Sequence, residues 1–218
     1  MRKYEFVPGE TREFLGTTLR RIRARSNFGA VSAGDVGGWI ESEGNLAQTG
    51  DAWVYGAARV CGAAQVSGAA WVYGDAQVYG AAWVSGDAQV SGAARVYGDA
   101  RVSGDAWVYG DAWVYGDAQV YGAARVSGAA RVCGAAHLLC IGPIGSRCAT
   151  LTVTRDSKMG LRYTTGCFSG PRADFVSAVD TKHPNGVYRV EYGAALKMID
   201  AWAQAHGHLP KIRAEAAA

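Results

Sequence analysis

A glycine at every sixth residue is the feature that most constrains this chain. It recurs without a miss from Gly50 through Gly134, which bound 14 hexads of the form [D/A]-A-[W/R/Q]-V-[Y/S/C]-G within the 218-residue sequence. A short repeat sustained over so many copies predicts a β-solenoid, because each copy can bury its apolar side chains only against its neighbours.

The order of residues within each hexad explains why the chain would coil. Ala and Val lie two residues apart, so in an extended segment both point to the interior while the variable residues point outward. The following Gly permits the positive φ that a sharp corner demands. Three strands and three corners close a triangle of about 18 residues, and such coils stack at about 4.8 Å. The hexads therefore predict about 4.7 coils.

Residues 51–136 resemble the hexapeptide-repeat superfamily. The resemblance implies a mainly β protein built on a left-handed parallel β-helix, a triangular prism of about 5 coils that commonly assembles as a homotrimer. Many members are acyltransferases, with a catalytic histidine on a loop that interrupts the coils. Here no loop interrupts the hexads, and the first histidine, His137, follows them. Enzymatic activity is therefore disfavoured, and we expect no cofactor and no metal.

The regions that flank the repeat predict a cap at one end and a small module at the other. A solenoid has unpaired edges at both ends, which must be covered to prevent stacking into fibres. The expected segments are an N-terminal β cap (1–37), the β-helix (38–140), a C-terminal α+β module (141–210) and a disordered tail (211–218).

Within the cap, the pattern predicts strands over 4–7 and 17–24, with a turn at Pro8 and Gly9. Ile40 and Leu46 are expected to replace the inward Ala of the first, imperfect hexads.

The C-terminal module is predicted to have a ββαα order. Strands are expected over 148–154 and 161–165, and helices over 172–181 and 190–205.

The outward residues of the repeat fall into columns, because residues 18 apart lie above one another. Two columns are aromatic and the third is largely polar. The candidate interface residues combine Trp, Tyr and Arg, the composition of binding hot spots: they are Trp53, Tyr55, Trp71, Tyr73, Arg95, Tyr97, Trp107, Tyr109, Trp113 and Tyr115. Three interpretations stay open, namely ladders that only stabilise the sheet, subunit contacts in a trimer, and a surface for another partner.

Charge and cysteine content narrow the class of partner. The net charge is only +3, so nucleic acid is disfavoured although it stays open. A local basic cluster of Arg20, Arg21, Arg23 and Arg25 could bind phosphate groups, but a solvated strand face is favoured.

Five cysteines without a CxxC pair favour free thiols in a reducing cytoplasm. No signal peptide is evident and no stretch is apolar for long enough to span a membrane.

Three short segments are similar to those of uncharacterised phage and prophage proteins that pair hexapeptide repeats with a small C-terminal domain. They are GGWIE (37–41), IGPIGS (141–146) and TGCFSG (165–170). The resemblance implies a viral setting in the bacterial host cytoplasm. The leading hypothesis is thus a non-enzymatic, trimeric binding scaffold that contacts a host protein, such as a defence component.

Two alternatives to this hypothesis are an acyltransferase-like enzyme and a structural virion or spike component. Cys167 would need His183 as a base to act as a nucleophile, and an inert thiol is favoured.

Overall fold

The chain forms two compact units, which divide between His137 and Leu138. A computed structural model describes residues 2–208. The tail predicted to be disordered, 211–218, lies outside the described residues. The first unit is mainly β-solenoid, and the second combines an antiparallel sheet with two helices. The predicted separation of a cap from the β-helix at residue 37 stays a prediction.

The first unit opens with an antiparallel hairpin of β1 (Tyr4–Phe14) and β2 (Thr17–Ala24), and β2 then pairs with β3 (Val36–Ile40). The turn expected at Pro8 and Gly9 is wrong: β1 runs through both residues, with a register shift between Phe6 and Thr11. Proline is tolerated at an irregularity in an edge strand, where its missing N–H leaves no ladder bond unmade.

The repeat region contains 14 two-residue strands, each made of the third and fourth residues of a hexad. They are β4 (Trp53–Val54), β5 (Arg59–Val60), β6 (Gln65–Val66), β7 (Trp71–Val72), β8 (Gln77–Val78), β9 (Trp83–Val84), β10 (Gln89–Val90), β11 (Arg95–Val96), β12 (Arg101–Val102), β13 (Trp107–Val108), β14 (Trp113–Val114), β15 (Gln119–Val120), β16 (Arg125–Val126) and β17 (Arg131–Val132). Three-residue 3₁₀ turns flank them at Glu43–Asn45 and Ala135–His137.

These strands form three parallel sheets, and we name each face of the solenoid after its strands. Face 1 contains β4, β7, β10, β13 and β16; face 2 contains β3, β5, β8, β11, β14 and β17; face 3 contains β6, β9, β12 and β15. Partners lie 18 residues apart, as in Trp53 opposite Trp71, which confirms the predicted columns. The hexad Ala and Val side chains of these coils are buried, from Ala52 to Val132. The fold is a left-handed β-helix of about 5 turns.

The first coil does not keep the predicted phase. Ile40 pairs with Val60 and Leu46 with Val66, so both take the Val position and lie 20 residues from their partners. Gly38 takes the Ala position instead, where an added Cβ would lie 2.7 Å from the Ala58 carbonyl oxygen. The Ala position has no room for a branched side chain, so two extra residues between the coils move Ile40 and Leu46 to the wider Val position.

Polar side chains close the exposed edge of the first coils. Asn45 Nδ2 donates to the carbonyls of Gly62 and Ala64, each at 2.9 Å. Lys3 Nζ donates to the Ala52 carbonyl at 2.9 Å, and burial lowers the pKa of Lys3 to about 8. The Tyr4 hydroxyl donates to the Leu46 carbonyl at 2.9 Å. These bonds occupy backbone acceptors that another chain could otherwise pair with.

The second unit has four antiparallel strands in the order β18 (Leu138–Ile144), β19 (Ala149–Asp156), β20 (Gly160–Thr165) and β21 (Phe168–Gly170), followed by α1 (Arg172–Lys182) and α2 (Val187–Ala205). The two inner strands and both helices were predicted to within three residues. The outer strands β18 and β21 were not predicted.

Their sheet and helices enclose a core that includes Leu151, Tyr163, Phe175 and Ile199. Among the described residues, no helix combines the length and apolar content needed to cross a membrane.

The corner glycines of neighbouring coils lie against each other. From Gly50 to Gly128 their φ values lie between 57° and 74°. A Cβ added at Gly86 would lie 2.9 Å from the Gly104 nitrogen, whereas one at Gly122 would meet nothing within 4 Å. Most corners therefore need glycine for two reasons, the left-handed conformation and the close approach of the next coil.

We expect Gly86→Ala to lower the free energy of unfolding by about 3 kcal/mol, because left-handed strain and overpacking add. Gly122→Ala, the matched control, carries only the strain and should cost about 1 kcal/mol. Chemical denaturation followed by circular dichroism measures both values. Equal losses at the two sites would show that coil contact at the corner contributes nothing.

Candidate interaction surfaces

Face 1 begins with a tryptophan that the N-terminal segment covers. Trp53 has 0% of its surface exposed; the Phe28 ring lies 5.3 Å and the Tyr4 ring 6.2 Å from it, centroid to centroid. The expectation that Trp53 lies at an interface is therefore corrected, since it belongs to the interior of the first unit. The repeat alone could not reveal this, because the covering residues lie outside it.

The rest of face 1 is accessible. Tyr55 packs on Trp71 at 5.5 Å, and the Tyr73 hydroxyl donates to Gln89 Oε1 at 3.2 Å. Further along, Trp107 is 41% exposed, Tyr109 is half-buried, and the Arg125 guanidinium lies 5.4 Å from the Trp107 ring centroid. Face 1 thus presents aromatic side chains with one cation on its strands, and the exposed Asp87 and Asp105 lie at its corners.

Face 2 carries a continuous stack of tyrosine rings. The ring of Tyr97 lies parallel to Tyr79 at 4.9 Å on one side and to Tyr115 at 5.1 Å on the other. Phe14 of the hairpin packs edge-on against Tyr79 at 6.5 Å, so the hairpin covers the first part of the stack. Burial is the main reason that the pKa of Tyr79 and that of Tyr115 are raised.

A second feature of face 2 is a tryptophan held between two arginines. The guanidinium carbon lies 4.9 Å from the Trp113 ring centroid for Arg95 and 4.3 Å for Arg131. Arg131 Nη1 also donates to the carbonyls of Asp111 and Ala130, each at 3.0 Å. These contacts hold the long side chains in place while leaving them partly accessible.

Face 3 lacks such an array. Trp83 is 47% exposed, and the nearest cation over its ring, Arg101, lies 6.0 Å from the centroid. Gln65 and Gln119 occupy the same slot in the flanking coils. Face 3 therefore carries the same residue types as the other faces, but these side chains pack less closely on one another. Substitutions on face 3 can serve as controls for those on faces 1 and 2.

The basic cluster of β2 is engaged within the first unit. Arg23 and Arg25 both contact Glu5, at 2.7 and 3.6 Å. Arg21 pairs with Glu10 at 3.1 Å. Arg20 lies 3.7 Å from the Phe6 ring centroid and donates to the Glu41 carbonyl. These partners favour the interpretation that the basic cluster is part of a solvated strand face and not a site that binds phosphate groups.

The residues considered for catalysis lie at two separate places. At the end of the coils, Cys133 Sγ lies 3.1 Å from His137 Nδ1. In the second unit, Cys167 and His183 line one open cleft. Within residues 2–208 the structure shows no hydrogen bond between that thiol and that imidazole, and no group of three or more His, Cys, Asp or Glu side chains that could hold a metal ion.

The repeat region is a hexapeptide-repeat-like left-handed β-helix, and comparison with known proteins supports this class. A family model described as the YdcK β-solenoid repeat matches residues 88–103, 94–110, 100–116 and 118–134. A 37-residue segment is 54% identical to a protein of Escherichia coli (strain K12) named "Uncharacterized acetyltransferase YdcK". That segment is 17% of this chain and 11% of the relative, so the chain spans only about a ninth of that protein.

Proposed function

We propose that this chain is a non-enzymatic scaffold that acts through protein–protein contacts made by the solenoid. The observation that carries the proposal is face 2 beyond the hairpin, where stacked tyrosines adjoin the Arg95–Trp113–Arg131 array. Trp, Tyr and Arg dominate the residues that contribute most to binding energy at protein interfaces.

The ordering of these side chains before binding supports the proposal. Immobilising a flexible side chain at an interface costs about 0.5–1.5 kcal/mol. Tyr97 is already held between two parallel rings, and Arg131 is already held by two carbonyls and the Trp113 ring. A partner that docks here therefore loses little affinity to ordering.

The charge of face 2 favours a partner with acidic groups. Its outward strand positions beyond the hairpin include Arg95 and Arg131 and no carboxylate, while Asp75, Asp99, Asp111 and Asp117 lie at its corners. A protein surface with carboxylates would complement this face. A phage setting and a host defence component as the partner remain predictions from the sequence resemblance.

We assign self-association to face 1, in a homotrimer of the kind that the hexapeptide-repeat resemblance implies. Packing three copies of face 2 around an axis would bring guanidinium groups together with few carboxylates to offset them. Beyond Trp53, face 1 offers Trp71, Tyr73, Trp107 and Tyr109, with Arg125 as its one cation. Aromatic surface with little charge is the composition of homo-oligomer interface cores.

A trimer at micromolar concentration is the expected result of light scattering on the full chain. Trp107→Glu should dissociate it, because burying a carboxylate in an apolar contact is unfavourable. Trp83→Glu on face 3 changes the same slot and should leave the mass unchanged. A monomeric wild-type chain, or equal dissociation by both variants, would contradict the assignment of face 1.

Partner capture tests face 2 separately. Tagged wild-type chain, Arg95→Glu and Arg101→Glu would be incubated with host-cell extract and the bound proteins quantified by mass spectrometry. We expect a bound protein that Arg95→Glu loses by about ten-fold or more, since reversing a contact charge costs at least the value of one charged hydrogen bond. Arg101→Glu, the same slot on face 3, should retain it. Equal recovery by both variants would contradict face 2 as the docking surface.

An acetyltransferase is the second candidate, favoured by the name of the relative and by the contact between Cys133 and His137. Our proposal predicts that calorimetry detects no binding of acetyl-CoA to the chain. It also predicts that the chain does not release CoA from acetyl-CoA. CoA release that His137→Asn abolishes, in a variant with unchanged circular dichroism, would establish the enzyme instead.

A further inference from the structure

The second unit contains an open cleft of about 320 Å³. Four separate segments line it: the turn after β18, the end of β20 with the turn into β21, α1 with the residue that follows it, and α2. This volume lies at the lower end of the range for small-molecule sites in proteins. The cleft lies entirely within the second unit, so it is independent of the solenoid faces.

The charged residues that line the cleft are all positive. Arg147 and Lys182 both line it, and no Asp or Glu is among its lining residues. Three other arginines of this unit have carboxylate partners: Arg162 with Asp156, Arg172 with Asp200, and Arg189 with Asp180. Within residues 2–208, neither Arg147 nor Lys182 forms an ion pair. Two cations that line one concave surface, with no carboxylate in the lining, favour an anionic ligand.

The turn that carries Arg147 is anchored rather than loose. Glu191 Oε2 of α2 accepts a hydrogen bond from the Gly145 backbone N–H at 2.9 Å. The Tyr192 hydroxyl lies over the same glycine, and a Cβ there would lie 2.2 Å from that oxygen. The nearby carboxylate of Glu191 is thus engaged by the backbone and does not line the cleft.

The wall that α1 contributes is mainly apolar. Phe175, Ala178, Val179 and Lys182 lie at the spacing of one helix face, so α1 presents an apolar stripe that ends in a cation. The Phe168 ring lies 5.4 Å from Phe175.

Polar groups complete the lining. The His183 imidazole stacks on the Tyr192 ring at 5.8 Å, and the hydroxyl groups of Ser146 and Thr165 add donors beside the cations.

We propose that this cleft binds a small organic oxyanion, in which a carboxylate or phosphate head meets Arg147 and Lys182 and a flat apolar body packs against the partly exposed rings of Phe168 and Tyr192. A guanidinium group matches either head through paired hydrogen bonds. The aromatic wall supplies the burial that a free inorganic anion could not use. Cys167, exposed and part of the lining, serves here as a reporter of occupancy and takes no part in a reaction.

The test measures alkylation of Cys167 by iodoacetamide in the full chain, read by peptide mass spectrometry. Cys148 is also exposed but does not line the cleft, so it is the internal reference. The probes are benzoate, phenyl phosphate, benzyl alcohol and inorganic phosphate. At about ten times its Kd, benzoate or phenyl phosphate should slow Cys167 alkylation about ten-fold, since about one site in eleven stays free. Cys148 should react at an unchanged rate.

Charge variants decide whether the anion is recognised. Arg147→Gln and Lys182→Gln should each raise the Kd of the aromatic anion about ten-fold, the value of one charged hydrogen bond, so that protection at the same concentration falls to about two-fold. Arg155→Gln removes an exposed cation outside the cleft and should leave protection unchanged. Unchanged circular dichroism and an unchanged rate without probe would show that the variants keep the fold.

The remaining outcomes overturn the proposal in distinct ways. Equal protection by benzyl alcohol would reduce the site to an apolar cleft. Equal protection by inorganic phosphate would remove the role of the aromatic wall. Absence of protection by either aromatic anion at millimolar concentration would exclude the site. The relative strength of benzoate and phenyl phosphate then distinguishes a carboxylate ligand from a phosphate ester.

Discussion

The close approach of backbone at the solenoid corners is the constraint on which the first unit depends. Glycines 18 residues apart face each other so closely that a Cβ on most of them would meet the next coil's backbone at about 3 Å. The same glycines adopt a left-handed conformation that other residues rarely accept. Together these requirements hold the coil length at 18 residues. Coil length in turn decides which outward side chains become neighbours.

Because neighbours are set by coil length, one slot of the repeat serves different purposes along the chain. The tryptophan slot is buried at Trp53, exposed at Trp83 and held between two arginines at Trp113. The hexads are nearly the same, DAWVYG at Trp53 and Trp113 and AAWVSG at Trp83. The difference comes from what lies one coil away and from the N-terminal residues that pack over the first coil.

The six-residue period made the structure of the repeat predictable from the sequence. Several features outside this period could not be predicted. Arg95 opposite Trp113 follows from counting 18 residues, and so does the tyrosine stack. The first coil departs from the 18-residue spacing, because two additional residues move Ile40 into the Val position. No glycine in the sequence marks these two residues. Burial of Trp53 depends on Phe28, whose irregular segment carries no pattern. The lining of the cleft was likewise hidden, since its residues come from four segments that only the tertiary fold brings together.

The two units thus suit different ligands for a physical reason. A solenoid of uninterrupted hexads grows by repeating one flat strand, so its faces are broad and rigid but carry no depth, which suits a macromolecular surface. Concavity requires elements of unequal length and direction, and the helices and hairpins of the second unit supply them. Arg147 from a turn and Lys182 from a helix end both line the cleft that these elements form. The proposed surface recognition and the proposed small-anion binding would therefore be able to change independently.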